Sequence, residues 1–169
     1  MIFGLTVKSV FLLKTHTSSE MKTLGPLAKE GKINQDASVR DSQSAIINAP
    51  VEKVWQILSD IPNWPKWNEE IKSIAIDKVE VGANFTWTVG NNTIKSTIRQ
   101  IKEKEMISWT GNTMGIKIIH VWKLEADGNQ TIVTTEESMQ GFFTLFFSHQ
   151  KLHSSLLNWL DRLRETAEE

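Results

Sequence analysis

His120, Trp122 and Glu137 are the residues whose types and spacing come nearest to chemistry. His120 and Trp122 stand two apart in the run IKIIHVWKLE (residues 116–125), with Lys117 and Lys123 on alternate positions. Alternate residues of a strand share a face, and lysines prefer water, so Ile118, His120, Trp122 and Leu124 are expected to point inward. The Asp127-Gly128 turn is expected to bring Leu124 opposite Thr131, which sets His120 opposite Thr135 and Ile118 opposite Glu137. Glu137 then lies diagonal to His120, at roughly 7–8 Å between backbones, where a ligand group or a water bridges them. An inward histidine on an apolar face is usually satisfied by a neighbour, and a buried carboxylate is costly without a partner. Histidine also titrates near neutrality, so the pair suits either holding a polar ligand group or moving a proton.

Other residues are expected around the same space. Phe85 and Trp87 alternate in the same sense on an earlier strand. Phe146, His149, Leu152, His153 and Leu156 fall on the inward stripe of a C-terminal helix. His149 and His153 have the i,i+4 spacing of helical metal ligands, but no acidic third ligand stands near them in sequence, so no metal site is expected. The chain has no cysteine, which removes disulfides, thiolate ligands and thiol nucleophiles. Residues 111–115 hold two glycines without a phosphate-loop pattern and read as a hairpin loop. No catalytic residue and no cofactor follows from the residues themselves.

Charge narrows the partners. The 169 residues carry 19 basic and 20 acidic side chains, a net charge of −1, with no long run of either sign. A nucleic-acid binder needs a basic face, so nucleic acid is not an expected partner. Residues 1–13 are apolar but interrupted by Lys8, with no cleavage site after them, and are shorter than the roughly 20 residues of a membrane span. A soluble cytoplasmic protein, monomer or dimer, without stable membrane insertion is the expectation. Residues 14–38 are polar, with breakers at Gly25, Pro26 and Gly31. Residues 1–38 thus read as an arm or linker whose removal leaves a folded domain, residues 39–169.

The elements that must position these side chains follow from periodicity. Residues 44–47 form a strand candidate, and Pro50 opens a helix whose stripe is Val51, Val54, Trp55 and Leu58. Trp64 and Trp67 lie in a proline-broken segment suited to wedging against the end of a sheet. Six strands are expected at residues 71–77, 83–89, 93–102, 106–110, 116–125 and 131–139, separated by turn residues. Linkers this short leave no room for crossover helices, so the sheet is antiparallel. Beyond Gly141 the period changes to 3.6, and Leu145, His149, Leu152, Leu156, Trp159 or Leu160, and Leu163 mark an embedded helix of roughly 25 residues, about 37 Å. The fold class is α+β.

Several strings resemble one branch of the helix-grip proteins. Residues 47–55 (INAPVEKVW) are similar to the opening of the START-like, or SRPBCC, superfamily in its polyketide cyclase/dehydrase and lipid-transport branch. WPKWN (residues 64–68) resembles the tryptophan pair after that family's short helices. HVWKL (residues 120–124) and residues 130–141 resemble its last hairpin before the long helix. The resemblance covers residues 40–169 and implies a curved sheet of about seven strands wrapped around the C-terminal helix, enclosing a cavity. It implies as partner a small hydrophobic ligand, lipid-like or polycyclic, bound among Phe85, Trp87, Ile118, His120, Trp122, Glu137 and the helix residues named above. A cyclase/dehydrase enzyme using His120 and Glu137 is the second reading, and a protein-interaction module the third.

Overall fold

Short β-rich runs joined by tight turns set the architecture. The computed structural model describes residues 23–146 and 148–169, with Phe146 by its backbone alone. The apolar stretch at residues 1–13 lies outside the described residues. In chain order, α1 covers residues 23–29, then come β1 Val39–Ile47, α2 Val51–Ser59, a 3₁₀ segment Ile61–Lys66, β2 Ile71–Ile76, β3 Asn84–Val89, β4 Asn92–Lys102, β5 Met106–Thr113, β6 Ile116–Asp127 and β7 Gln130–Gln140. A second 3₁₀ turn, Phe142–Phe146, leads to α3, His149–Glu168. The seven strands form one sheet in the order β1-β7-β6-β5-β4-β3-β2, every pair antiparallel. Register shifts between Ile71 and Ser73 and between Ile98 and Gln100 bend the far strands, since a bulge adds twist. This curved antiparallel sheet around a C-terminal helix is the helix-grip arrangement.

Helix α3 is shorter than the periodicity suggests. It has 20 residues, about 30 Å, and Ser148 caps it by accepting a hydrogen bond from the Lys151 amide at 3.1 Å. Residues 142–146 turn as 3₁₀ instead, so Leu145 does not continue the stripe and is exposed. The stripe proper is Leu152, Leu156, Trp159, Leu160, Leu163 and Ala167, all buried. The helix lies on the concave face, where β1 and β7 meet it on one side and α2 on the other.

Two hairpins differ from expectation for reasons of turn chemistry. Between β6 and β7 the turn has two residues, Gly128 and Asn129, which pairs Asp127 with Gln130. Leu124 therefore faces Val133, Trp122 faces Thr135 and His120 faces Glu137. The expected register was off by two, and an even shift keeps every side chain on its face. Gly111 is not in a loop: β5 runs on to Thr113, and the turn is Met114-Gly115, both at positive φ as a two-residue hairpin turn needs.

The convex face carries a second small core. Leu24, Ala28 and Ile33 pack against Met106, Ile119 and Val121, with the partly buried Leu27 beside them. Hydrogen bonds pin this segment: Ser108 Oγ donates to the Ala28 carbonyl at 2.6 Å, and the Asn34 amide donates to Ser138 Oγ at 3.1 Å. Gly31, at φ +70, lies so close to β5 that a Cβ would fall 2.2 Å from Met106 Sδ. Residues 24–37, read from sequence as part of a loose arm, are thus packed onto the sheet, because β6 is apolar on both faces and needs cover on each.

Two stability outcomes follow. Leu156→Ala, at a fully buried position, is expected to cost about 2–5 kcal/mol in a denaturant titration, where an exposed leucine costs well under about 1. Leu24→Ala is expected to fall in the same range of about 2–5 kcal/mol, and a loss under about 0.5 kcal/mol would mean that the convex core contributes nothing.

Candidate functional site

Aromatic packing fills only part of the space under α3. Trp159, from the middle of the helix, meets Trp64 at 5.2 Å, Trp67 at 5.5 Å, Trp122 at 5.7 Å and Trp87 at 6.1 Å between ring centroids. Trp64 is fully buried, its Nε1 donating to the Leu58 carbonyl at 2.8 Å, and it also touches Phe85 and Trp109. The α2 end of the grip is therefore a solid aromatic plug.

The other end is hollow. A cavity of about 590 Å³ lies between the concave face of β3–β7 and the first half of α3. Its floor is Trp87, Trp109, Trp159 and His120; its walls are Ile94, Ile116, Ile118, Met139 and Leu152. Gly111 leaves the wall without a side chain, and a Cβ there would lie 3.1 Å from Ser96 Oγ and 3.2 Å from Ile94 Cγ2. Its backbone is not at positive φ, so space rather than conformation is the constraint. Met114 and Phe143, both exposed, and Lys151 mark the mouth. A more open depression of about 700 Å³ adjoins the mouth, sharing Val89, Asn92, Lys151 and Ser155 with the cavity and carrying Glu69, Glu70 and Lys72 on its far side.

A buried ionisable pair, His120 and Glu137, interrupts the apolar wall. His120 Nδ1 lies 2.8 Å from Glu137 Oε2, and His120 Nε2 lies 2.8 Å from Thr135 Oγ1. The ring stacks on Trp122 at 5.6 Å and leans on Trp109 at 4.6 Å. Both imidazole nitrogens are thereby engaged by the protein, while the second carboxylate oxygen of Glu137 has no hydrogen-bond partner among the described residues. Ser96 Oγ accepts from Trp87 Nε1 at 3.0 Å, which turns that indole donor away from the cavity.

The structure brings together Trp87, Ile118, His120, Glu137 and Leu152 on the cavity wall. The remaining predicted residues are placed elsewhere. Phe85, Trp122 and Leu156 are buried in the core off the cavity wall, Phe85 against Trp64 and Trp122 against Trp159. His149 is exposed at the start of α3. His153 turns to the seam with β1, its Nδ1 2.9 Å from Asp41 Oδ2 and 3.0 Å from Gln43 Nε2. The two helix histidines are thus not a ligand pair, and no cluster of three or more metal-ligating side chains occurs among the described residues. The side chain of Phe146 lies outside the described residues. Sequence reasoning missed Trp109, Trp159 and Gly111 as wall residues. The alternation Ile107, Trp109, Gly111 on β5 carried the signal, hidden by reading Gly111 as a loop.

Comparison with known proteins places this geometry. A search of functionally curated sequences finds no match. Among solved structures, a hypothetical protein from Helicobacter pylori superposes with a TM-score of 0.70 at 18% identity, covering 79% of this chain and 90% of that one. A START superfamily protein from Mycobacterium smegmatis gives 0.66 at 16% identity, covering 76% and 97%. An aromatase/cyclase from a Streptomyces species gives 0.60 at 14% identity, covering 76% and 93%. These similarities establish the fold, START-like and helix-grip. No helix among the described residues is long and apolar enough to cross a membrane. The model of the family described as polyketide cyclase / dehydrase and lipid transport matches residues 38–168, and the chain belongs to that family.

Proposed function

We propose that this protein binds a small hydrophobic ligand, lipid-like or polycyclic, in the cavity between the sheet and α3. The observation that carries the reading is the cavity itself: about 590 Å³, walled by aromatic and aliphatic side chains, with a single carboxylate at its floor. Ligand sites are typically concave, mostly apolar and about 300–1,000 Å³, with a few placed polar groups. An apolar space of this size is a poor packing solution for stability, since each unfilled methyl-sized volume costs about 1 kcal/mol. The absence of cysteine supports placing the function in the reducing cytoplasm.

A second reading, an enzyme of the cyclase/dehydrase type, is favoured by one observation, the His120–Glu137 contact at the cavity floor. With both ring nitrogens of His120 engaged, Glu137 is the residue positioned to take a proton from a substrate, and His120 is its orienting partner. In that case Glu137→Gln abolishes turnover of a polyketide-like substrate without a comparable loss of affinity.

Native mass spectrometry of the purified protein, with Nile red fluorescence as a second readout, tests the binding reading. A co-purified apolar molecule, or saturable Nile red binding, is expected. Gly111→Leu is expected to weaken Nile red binding roughly tenfold or more, since loss of contact equal to two methylenes corresponds to about 1.6 kcal/mol. A Gly111→Leu variant that melts cooperatively and binds the dye with unchanged affinity would place the ligand elsewhere.

A further inference from the structure

We propose that Glu137 makes the cavity selective for apolar ligands whose buried end donates a hydrogen bond, a hydroxyl or an amine, against ligands ending in a carboxylate, ether or ketone. The inference rests on the cavity reading above and adds the chemistry of the ligand's polar group.

The argument starts from which polar atoms at the floor are free. Glu137 lies nine-tenths buried on β7, directly opposite His120 on β6. Its Oε2 is held at 2.8 Å by His120 Nδ1, and its other oxygen, with no partner among the described residues, belongs to a side chain that lines the cavity. His120 offers nothing to a ligand, because Thr135 holds Nε2 and Glu137 holds Nδ1. Trp87 Nε1 is likewise engaged, by Ser96. Glu137 therefore supplies the unpartnered acceptor of the floor, beside the indole N–H donors of Trp109 and Trp159, which also have no hydrogen-bond partner among the described residues.

That group is an acceptor wherever the shared proton sits. If Nδ1 carries the proton, Glu137 is a carboxylate and its free oxygen accepts. If the proton sits on Oε2, the carboxyl donates to Nδ1, and the free oxygen is a carbonyl, which also accepts. A ligand end that only accepts can take an indole N–H from Trp109 or Trp159, but it leaves the Glu137 oxygen desolvated and unpaired. A ligand end that donates satisfies the oxygen, with a charge-assisted hydrogen bond where Glu137 is the carboxylate. Asp41 strengthens the bias: it stands opposite Glu137 in the β1–β7 register, adding negative charge rather than a cation behind the floor, with His153 as its own partner. Lys151, the cavity's cation, is at the mouth on the exposed first turn of α3.

The test displaces Nile red from the full-length protein with molecules matched in size. 1-Dodecanol and dodecylamine carry a donor; undecyl methyl ether, an isomer of dodecanol, keeps the oxygen and loses the donor; dodecanoate carries a charged acceptor. Dodecanol is expected to bind roughly tenfold or more tightly than the ether, as one hydrogen bond to a charged group gives, and dodecanoate to bind worst. Glu137→Gln presents an amide N–H in place of the free oxygen and is expected to abolish or reverse the alcohol-over-ether preference. Equal binding of alcohol and ether by the wild-type protein, or the same preference in a cooperatively melting Glu137→Gln variant, overturns the inference and leaves the cavity reading standing. Failure of Nile red and of every competitor to bind overturns both. Should Glu137→Gln not fold, the alcohol–ether comparison in the wild-type protein decides.

Discussion

The insertion of Trp159 into the indole cluster of the sheet is the contact on which the rest of the structure depends. An α-helix lying on a curved sheet has many nearly equivalent positions along its axis, and a large rigid ring wedged among others removes them. Trp159 does this against Trp64, Trp67, Trp87 and Trp122, with edge-on or tilted geometries throughout. Such pairs add about 0.5–1.5 kcal/mol beyond their burial, and their offset geometries define one arrangement. Once α3 is fixed at its middle, its C-terminal half closes on α2 and its N-terminal half spans the hollow side of the sheet.

The hollow exists because the sheet is lined unevenly. Toward α2 the inward positions carry Phe85 and Trp122, which together with Trp64 of the 3₁₀ segment fill the space under the helix. Toward the β5–β6 hairpin they carry Gly111, Ser96, Ile94 and Ile118, which do not. Burial of a carboxylate at the border between the two halves is expensive. It is offset by its histidine, which is in turn held by Thr135 and clamped between Trp109 and Trp122. The polar triad and the aromatic plug thus support each other: the rings hold the imidazole in place, and the imidazole holds the carboxylate at the edge of the open space.

The convex face follows a separate logic. A helix-grip sheet can leave its outer face to water, yet β6 presents Ile119 and Val121 there, both fully buried. Residues 24–37 cover them with Leu24, Ala28 and Ile33, and Ser108 and Ser138, which are also buried, find their partners in the same segment. The family match begins at residue 38, so this cover lies outside the matched region, packed by ordinary side-chain complementarity.

The sequence by itself determined the element types, their order and the inward faces. Period-2 runs between tight turns admit only antiparallel pairing, and the lysines flanking His120 assign the faces of β6 whatever the register. It also held the signal for the convex core, since Ile119 and Val121 lie between Lys117 and Lys123 on the outer face; without a visible partner for them, residues 24–37 looked like linker. Tertiary structure alone decided the rest. The turn falls at Gly128-Asn129, one residue beyond the expected Asp127-Gly128, and this shift of two in register moved Glu137 from a diagonal position to contact with His120. The axial position of α3, fixed by Trp159, decided that Leu152 meets the cavity while Leu156 lies in the core, and that His153 meets Asp41 at the seam with β1. Periodicity names the face of a helix but not its position along the sheet, and that position is set by which rings fit beside one another.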